Sequence, residues 1–339
     1  MKIHTPERAR RAVWFAQRIS STVGAIAIVF SGLATAATAQ NPYPVKPIRI
    51  VVPFSAGGST DLLARGIGER LTRAWGQQVV IDNRPGADGI VATEIVAKAT
   101  PDGYTLLMNA IGHAANASLY RRLPYDTLRD FAPVILAADV PMVLAVHPQV
   151  KVNTVSELVA LARSKPGQLN CATGGVGASH HLAAELFRSA AKIQFLEVHY
   201  KGAAPAVLEL ISGRMDMMFT PMLVSMTHVK SGRLKALGVT SPQRVVIAPD
   251  LPTIAESGVP GYEARAWYGL VAPAKLDRAI VVKLNGEIDH ALRTTEFRDR
   301  LLAAGAVPMG GGPQEFGDFM RHEVQKYARV VKEAGIWVD

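Results

Sequence analysis

Ile48-Arg49-Ile50-Val51-Val52 is followed by Pro53-Phe54-Ser55-Ala56-Gly57-Gly58-Ser59-Thr60-Asp61, and then by a segment in which Leu63, Ile67 and Leu71 recur every four residues. The first run is short and rich in β-branched residues, as a buried strand is. The spacing of four puts the leucines and isoleucine on one face of a helix. Between them lies a glycine-rich loop, with Ser59, Thr60 or Asp61 available to cap the helix. The unit is strand, loop, helix, and it sets the fold class as α/β.

Working outward, the alternation continues. A strand is expected at Gln78–Ile81, a glycine-rich turn at Pro85–Gly89, a helix through about Ala99, and a strand at Tyr104–Met108 after the Pro101-Asp102-Gly103 turn. Alternating strands and helices imply a largely parallel sheet covered on both faces. A second copy of the opening device starts at Leu169-Asn170-Cys171-Ala172. It runs through Thr173-Gly174-Gly175-Val176-Gly177-Ala178-Ser179 into a helix whose buried face is read as Leu182, Ala183, Leu186 and Phe187. Two such devices about 120 residues apart indicate two α/β lobes, each with a glycine loop at the carboxyl end of its first strand, where open α/β sheets take ligands. Pro141–His147 and Trp267–Pro273 read as crossings between the lobes, a two-stranded hinge beside an interlobe cleft. The expected division is residues 40–142 with 268–339 in one lobe and 143–267 in the other. Helices are expected at Arg278–Arg293 and Pro313–Ala334.

Residues 1–39 have a different character. Lys2, Arg8, Arg10, Arg11 and Arg18 precede an apolar run, Val23–Leu33, which ends in Ala37-Thr38-Ala39. That order is a secretory signal peptide cleaved after Ala39, and the apolar run falls short of the roughly 20 residues a membrane span requires. The expected location is periplasmic, by the general secretory or the twin-arginine route. Of 37 lysines and arginines and 28 acids, the leader takes five and one, so the net charge falls from +9 to +5 in the remaining 300 residues. The residual excess forms no basic block, which excludes nucleic acid as a main partner, and a mild positive field suits small anions. Cys171 is alone, so no intrachain disulfide forms.

A helix start carries unpaired N–H groups and a partial positive charge, and so holds an anion without any arginine. If the loops at 54–61 and 173–180 face one another, two helix starts meet one carboxylate, or opposite ends of a dicarboxylate; otherwise both are ordinary tight connections. Rival chemistries lack their motifs. No His-Glu-x-x-His or Gly-x-Ser-x-Gly occurs, neighbouring His180 and His181 point about 100° apart on a helix, and neither glycine loop has dinucleotide spacing. No catalysis, cofactor or metal is expected. Asp61 serves either as a cap or as an acceptor for a ligand amino group, and the methionines of 215–226 read as a buried strand and its neighbour.

The motif Pro53–Asp61 with Ala64-Arg65 resembles the opening of the Bug family, the TctC-like receptors of tripartite tricarboxylate transporters. The likeness extends through Asn83-Arg84-Pro85-Gly86-Ala87, Pro101–Leu107, Leu123-Pro124-Tyr125 and Asp130–Val134. It continues in Gly175-Val176-Gly177, His181-Leu182-Ala183, Tyr200-Lys201-Gly202, Leu251-Pro252-Thr253 and Gly258–Tyr262. The resemblance implies a two-lobed periplasmic-binding-protein fold of type II, no catalysis, and a receptor that hands a small carboxylate to membrane permease subunits; presentation to a membrane sensor is the alternative, and a monomer is expected. It implies ligand contacts from Phe54, Ser55, Ala56, Gly57, Gly58 and Asp61 in the first loop, and from Thr173, Gly174, Gly175 and Ser179 in the second. Loop ends add Ala110, Ile111, Tyr200 and Thr220, and Trp267 is expected to wall the cleft.

Overall fold

A computed structural model describes residues 43–338, so the proposed leader and its cleavage site lie outside the described residues. Among the described residues eleven strands form two sheets. The first begins with β1 (Ile48–Val52), which pairs in parallel with β2 (Val79–Asn83) and β3 (Thr105–Ala110). Beyond β3 lie β10 (Ala266–Pro273), β4 (Phe131–Val140) and β11 (Val307–Gly310), all antiparallel to their neighbours. The second sheet runs β7 (Leu196–His199), β6 (Asn170–Thr173), β8 (Met217–Pro221), β5 (Met142–Val146) and β9 (Lys235–Val239). In each sheet the two strands of a parallel device lie beside a third parallel strand, and the incoming crossover strand sits next to that third strand as the antiparallel member.

The crossings differ in length. β4 and β5 are separated by Pro141 alone, whereas residues 240–265 separate β9 from β10. The two meet at the hinge, where Thr240 N–H donates to the Met142 carbonyl at 2.9 Å and Met142 N–H to Thr240 Oγ1 at 3.2 Å. β4 was not anticipated as a strand. Pro133 argues against a central ladder position, but it falls where β4 and β10 slip register around Val271, an irregularity that absorbs the missing donor.

Helices cover the sheets. α1 (Ser59–Trp75) presents Leu63, Ile67 and Leu71, all fully buried, to the first sheet, worth roughly 1.5–3 kcal/mol per side chain. α2 (Ile90–Ala97), α3 (Ile111–Leu119) and α10 (Pro313–Ala334) build a common core with β3 and β10. α8 (Arg278–Arg293) and α9 (Thr295–Ala303) complete that lobe. In the second lobe, α4 (Val155–Ser164), α5 (Ser179–Ala191), α6 (Ala203–Ile211) and α7 (Met222–Lys230) flank the sheet. α5 buries Leu182, Ala183 and Phe187 as expected, while Leu186 is only half-buried. Its place is taken by Glu185, which is turned inward to Arg188 and His181. Among the described residues no helix is long and apolar enough to cross a membrane.

Candidate functional site

The starts of four helices converge on one cavity between the lobes. α1 brings Gly58, Ser59 and Thr60; α3 brings Ala110, Ile111 and Gly112; α5 brings Ala178, Ser179 and His180; α6 brings Ala203. Phe54 and Tyr268 close the walls. The residue before each helix is Gly58, Ala110, Ala178 or Gly202, and none supplies a side-chain cap. First-turn N–H groups have no partner within their helix, so these four starts direct uncapped amides and positive dipole ends at one volume. No lysine or arginine lines it. The cavity is about 20 Å³, room for about one water molecule, so the lobes are closed and a larger guest enters only when they part.

Short bonds across the cleft hold it shut. Ser55 donates to the Lys201 carbonyl from both its N–H, at 3.1 Å, and its hydroxyl, at 2.7 Å. Val176 N–H donates to Asp88 Oδ1 at 2.8 Å. Glycine permits this approach where it counts. Gly202 has φ +127°, and a β-carbon there would stand 3.2 Å from the Phe54 side chain. At Gly175, φ +118°, it would stand 2.6 Å from the Asp88 carboxylate.

The two loops hold their shape differently. In the first, Asp61 accepts the Gly57 N–H at 2.9 Å and Arg65 at 2.9 Å; Arg65, the Gly57 amide and Asn83 hold its carboxyl low against the opposing effect of burial. Asp61 thus braces the loop just ahead of its helix, the capping role in a shifted form. In the second, the Gly174 N–H is received by His180 Nδ1 at 3.1 Å and the Gly177 N–H by His181 Nδ1 at 3.0 Å. Burial, with His181 alongside, pushes the His180 imidazole down to about 3, so it is neutral and able to accept. These histidines were weighed as metal ligands and discounted as a pair; neither was anticipated as a brace.

His181, Glu197 and His199 bring ligand atoms within 4.8 Å of one another. An N–H donor requires a lone pair on His181 Nδ1, which leaves the ring proton on Nε2, 3.3 Å from Glu197. The arrangement orients the loop; a metal at Nε2 would have to displace that proton. Thr173 Oγ1 lies 2.6 Å from His199 Nδ1 and extends the network.

Of the residues anticipated for the site, Phe54, Gly58, Ala110, Ile111 and Ser179 line the main cavity. Gly174 and Tyr200 line an adjoining one with Phe54, Asp88 and Lys201. Ser55 and Gly175 lie on the closing contacts, while Ala56 and Gly57 are exposed. Asp61 and Thr173 act behind their loops. Thr220 is fully buried inside β8, its hydroxyl without a hydrogen-bond partner, and it does not line the cavity.

Trp267 does not wall the cleft. Its indole packs edge-on against Phe316 and Phe319 and donates to Glu323 Oε2 at 2.7 Å inside the first lobe. Successive strand residues face opposite sides, so Tyr268 takes the cavity wall instead. Burial lifts the Tyr268 phenol to about 12, against the pull of the nearby Ser59 and Ser179 hydroxyls; Ser59 Oγ still lacks a hydrogen bond of good geometry.

The family profile described as tripartite tricarboxylate transporter family receptor matches residues 63–336. Three solved structures are similar along almost their whole length. Rpa4515 of R. palustris with adipate is 37% identical, with TM-score 0.85, over 86% of this chain and 98% of that one. The periplasmic binding protein BugD is 34% identical, with TM-score 0.84, over 87% and 99%. MatC from Rhodopseudomonas palustris with bound malate is 32% identical, with TM-score 0.82, over 85% and 100%.

Proposed function

Since the chain belongs to the family of tripartite tricarboxylate transporter receptors, we propose that it is a periplasmic solute receptor that closes on a small carboxylate and delivers it to the permease subunits of such a transporter. The observation that carries this reading is the convergence of four uncapped helix starts on one cation-free cavity. Fixed amides at hydrogen-bond distance stabilise a carboxylate without a counter-ion, and they leave the ligand free to dissociate when the lobes part. Adipate in Rpa4515 and malate in MatC, both carboxylic acids, support the class.

In this reading, Gly58, Ser59, Ser179, Ala110, Ile111 and Ala203 hold the carboxylate, and Phe54 and Tyr268 cover it. The lobes are residues 40–142 with 268–339, and 143–267, and the protein acts as a monomer after removal of residues 1–39. A thermal-shift screen of residues 40–339 against mono-, di- and tricarboxylates, amino acids and aromatic acids tests it. A ligand at about 100 times its Kd adds roughly 2.7 kcal/mol, which raises the Tm by a few degrees. No shift with any acid would overturn the reading.

A further inference from the structure

Beside the carboxylate cavity, and sharing Phe54, Ala110 and Gly112 with it, lies a second of about 10 Å³. Its other lining includes Asp88, Asn109, His113 and Asn116. Asn109 is 1% exposed, and neither atom of its amide has a hydrogen-bond partner. His113 is fully enclosed; its Nε2 lies 3.2 Å from the Thr127 carbonyl and must carry the ring proton, so Nδ1, also without a partner, presents a lone pair. Asn116 spends its N–H on the Asp88 carbonyl, and its own Oδ1 is a further acceptor, with the Tyr125 hydroxyl alongside. Asp88 adds a carboxylate whose oxygens already receive Tyr120 and Val176 but have lone pairs to spare.

The open positions combine acceptors, on Asn109, His113 and Asn116, with donors, the Asn109 N–H groups and the Tyr125 hydroxyl, and Asp88 is the one charged side chain on this wall. The Asp88 charge favours a cation and repels an anion, and the open acceptors give a donor-rich cation its hydrogen bonds. Resting on the receptor reading above, we propose that this is an ammonium subsite, so that the preferred ligand is an amino acid held by its carboxylate at the helix starts and by its ammonium among Asp88, Asn109 and His113. The cavity has about the volume that one –NH₃⁺ group, water-like in size, requires. A second carboxylate placed there would face the like charge of Asp88 with no cation on this wall to offset it. Lys201 lies outside this cavity, on the adjoining one, and is where a second carboxylate would otherwise turn.

Calorimetry on the exported chain with butanoate, succinate, 2-aminobutanoate and 4-aminobutanoate, and with their six-carbon counterparts, separates the possibilities. One of the amino acids should bind at least about tenfold more tightly than the mono- or dicarboxylate of equal length, a factor equal to about 1.4 kcal/mol. His113→Phe removes the Nδ1 acceptor while keeping a ring packed on Tyr125 and Phe131. Asn109→Leu removes the hydrogen-bonding pair at similar volume. Both variants should lose the amino-acid advantage while butanoate and hexanoate affinities hold steady. Tighter binding of succinate or adipate to the unaltered protein, or an advantage that survives both substitutions, overturns the subsite while the receptor reading stands. If no acid binds, the receptor reading falls and takes the subsite with it.

Discussion

The two glycine loops are built on the same plan and stabilised by opposite means. The first, at 54–58, is half in solvent at Ala56 and Gly57 and is braced by an acid, Asp61, paired with exposed Arg65. The second, at 173–178, is buried and braced by neutral imidazoles, with three of its N–H groups committed to His180, Asp88 and His181. Asp61 is itself buried, so its charge depends on Arg65 and the Gly57 amide in place of water, whereas the imidazoles accept their N–H groups without any desolvation cost of ionisation. The difference makes the first loop the adaptable half of the site and the second the rigid half.

Four changes probe that contrast. The largest effect is expected at the rigid loop itself. Gly175→Val forces a β-carbon into the Asp88 carboxylate at a φ that disfavours side chains, and should weaken binding of any ligand by roughly a thousandfold, about 4 kcal/mol, with the far-UV circular dichroism unchanged. Binding within tenfold of the parent would show that closure does not need this contact.

Acidification comes next. The folded-state values of His180, about 3, and His113, about 4, lie below the ordinary 6.5 because burial disfavours the charged ring. A depressed value means the unfolded chain takes the proton first, so this stability is whole above about pH 6.5 and drains away as pH falls towards 3–4. Each histidine contributes a slope of up to about 1.4 kcal/mol per pH unit in that window. Unfolding free energies from urea titrations at pH 7 and pH 5 should therefore differ by about 2 kcal/mol less in His180→Gln than in the parent. An equal difference in both proteins would mean that His180 is not held neutral.

His181→Ala releases the Gly177 N–H and should cost about 1 kcal/mol, seen as a lower Tm at neutral pH with ligand affinity weakened in step. Gly58→Ala should do least. Gly58 has ordinary backbone angles, and an added β-carbon would meet nothing closer than 3.6 Å. A change of under about 0.5 kcal/mol in stability and under threefold in affinity is expected, and a large loss would show that the first loop is as tightly packed as the second.

Much of the framework was legible because local pattern and global fold agree. Ile48–Val52, Arg278–Arg293 and Pro313–Ala334 have the bounds expected of them. What failed was information that one chain segment does not hold. The parity of β10 decides whether Trp267 or Tyr268 faces the cleft, and only its pairing with β3 and β4 sets that parity. The bracing by His180 and His181 depends on a loop folding back over the first turn of its own helix, which spacing alone does not reveal. Asp88 was read as part of a turn, and its partner Val176 is 88 residues away in the other lobe.

The unequal placement of the crossings governs the order in which the chain can fold. All five strands of the second sheet lie within residues 142–239, so that sheet can form as soon as this stretch is available. The first sheet cannot: β10 stands between β3 and β4, and until residues 266–273 arrive the lobe is two unjoined pieces, β1 to β3 on one side and β4 alone on the other. A chain emerging from its N-terminus thus begins one lobe, completes the other, and only then returns to insert the strand that makes the first one whole.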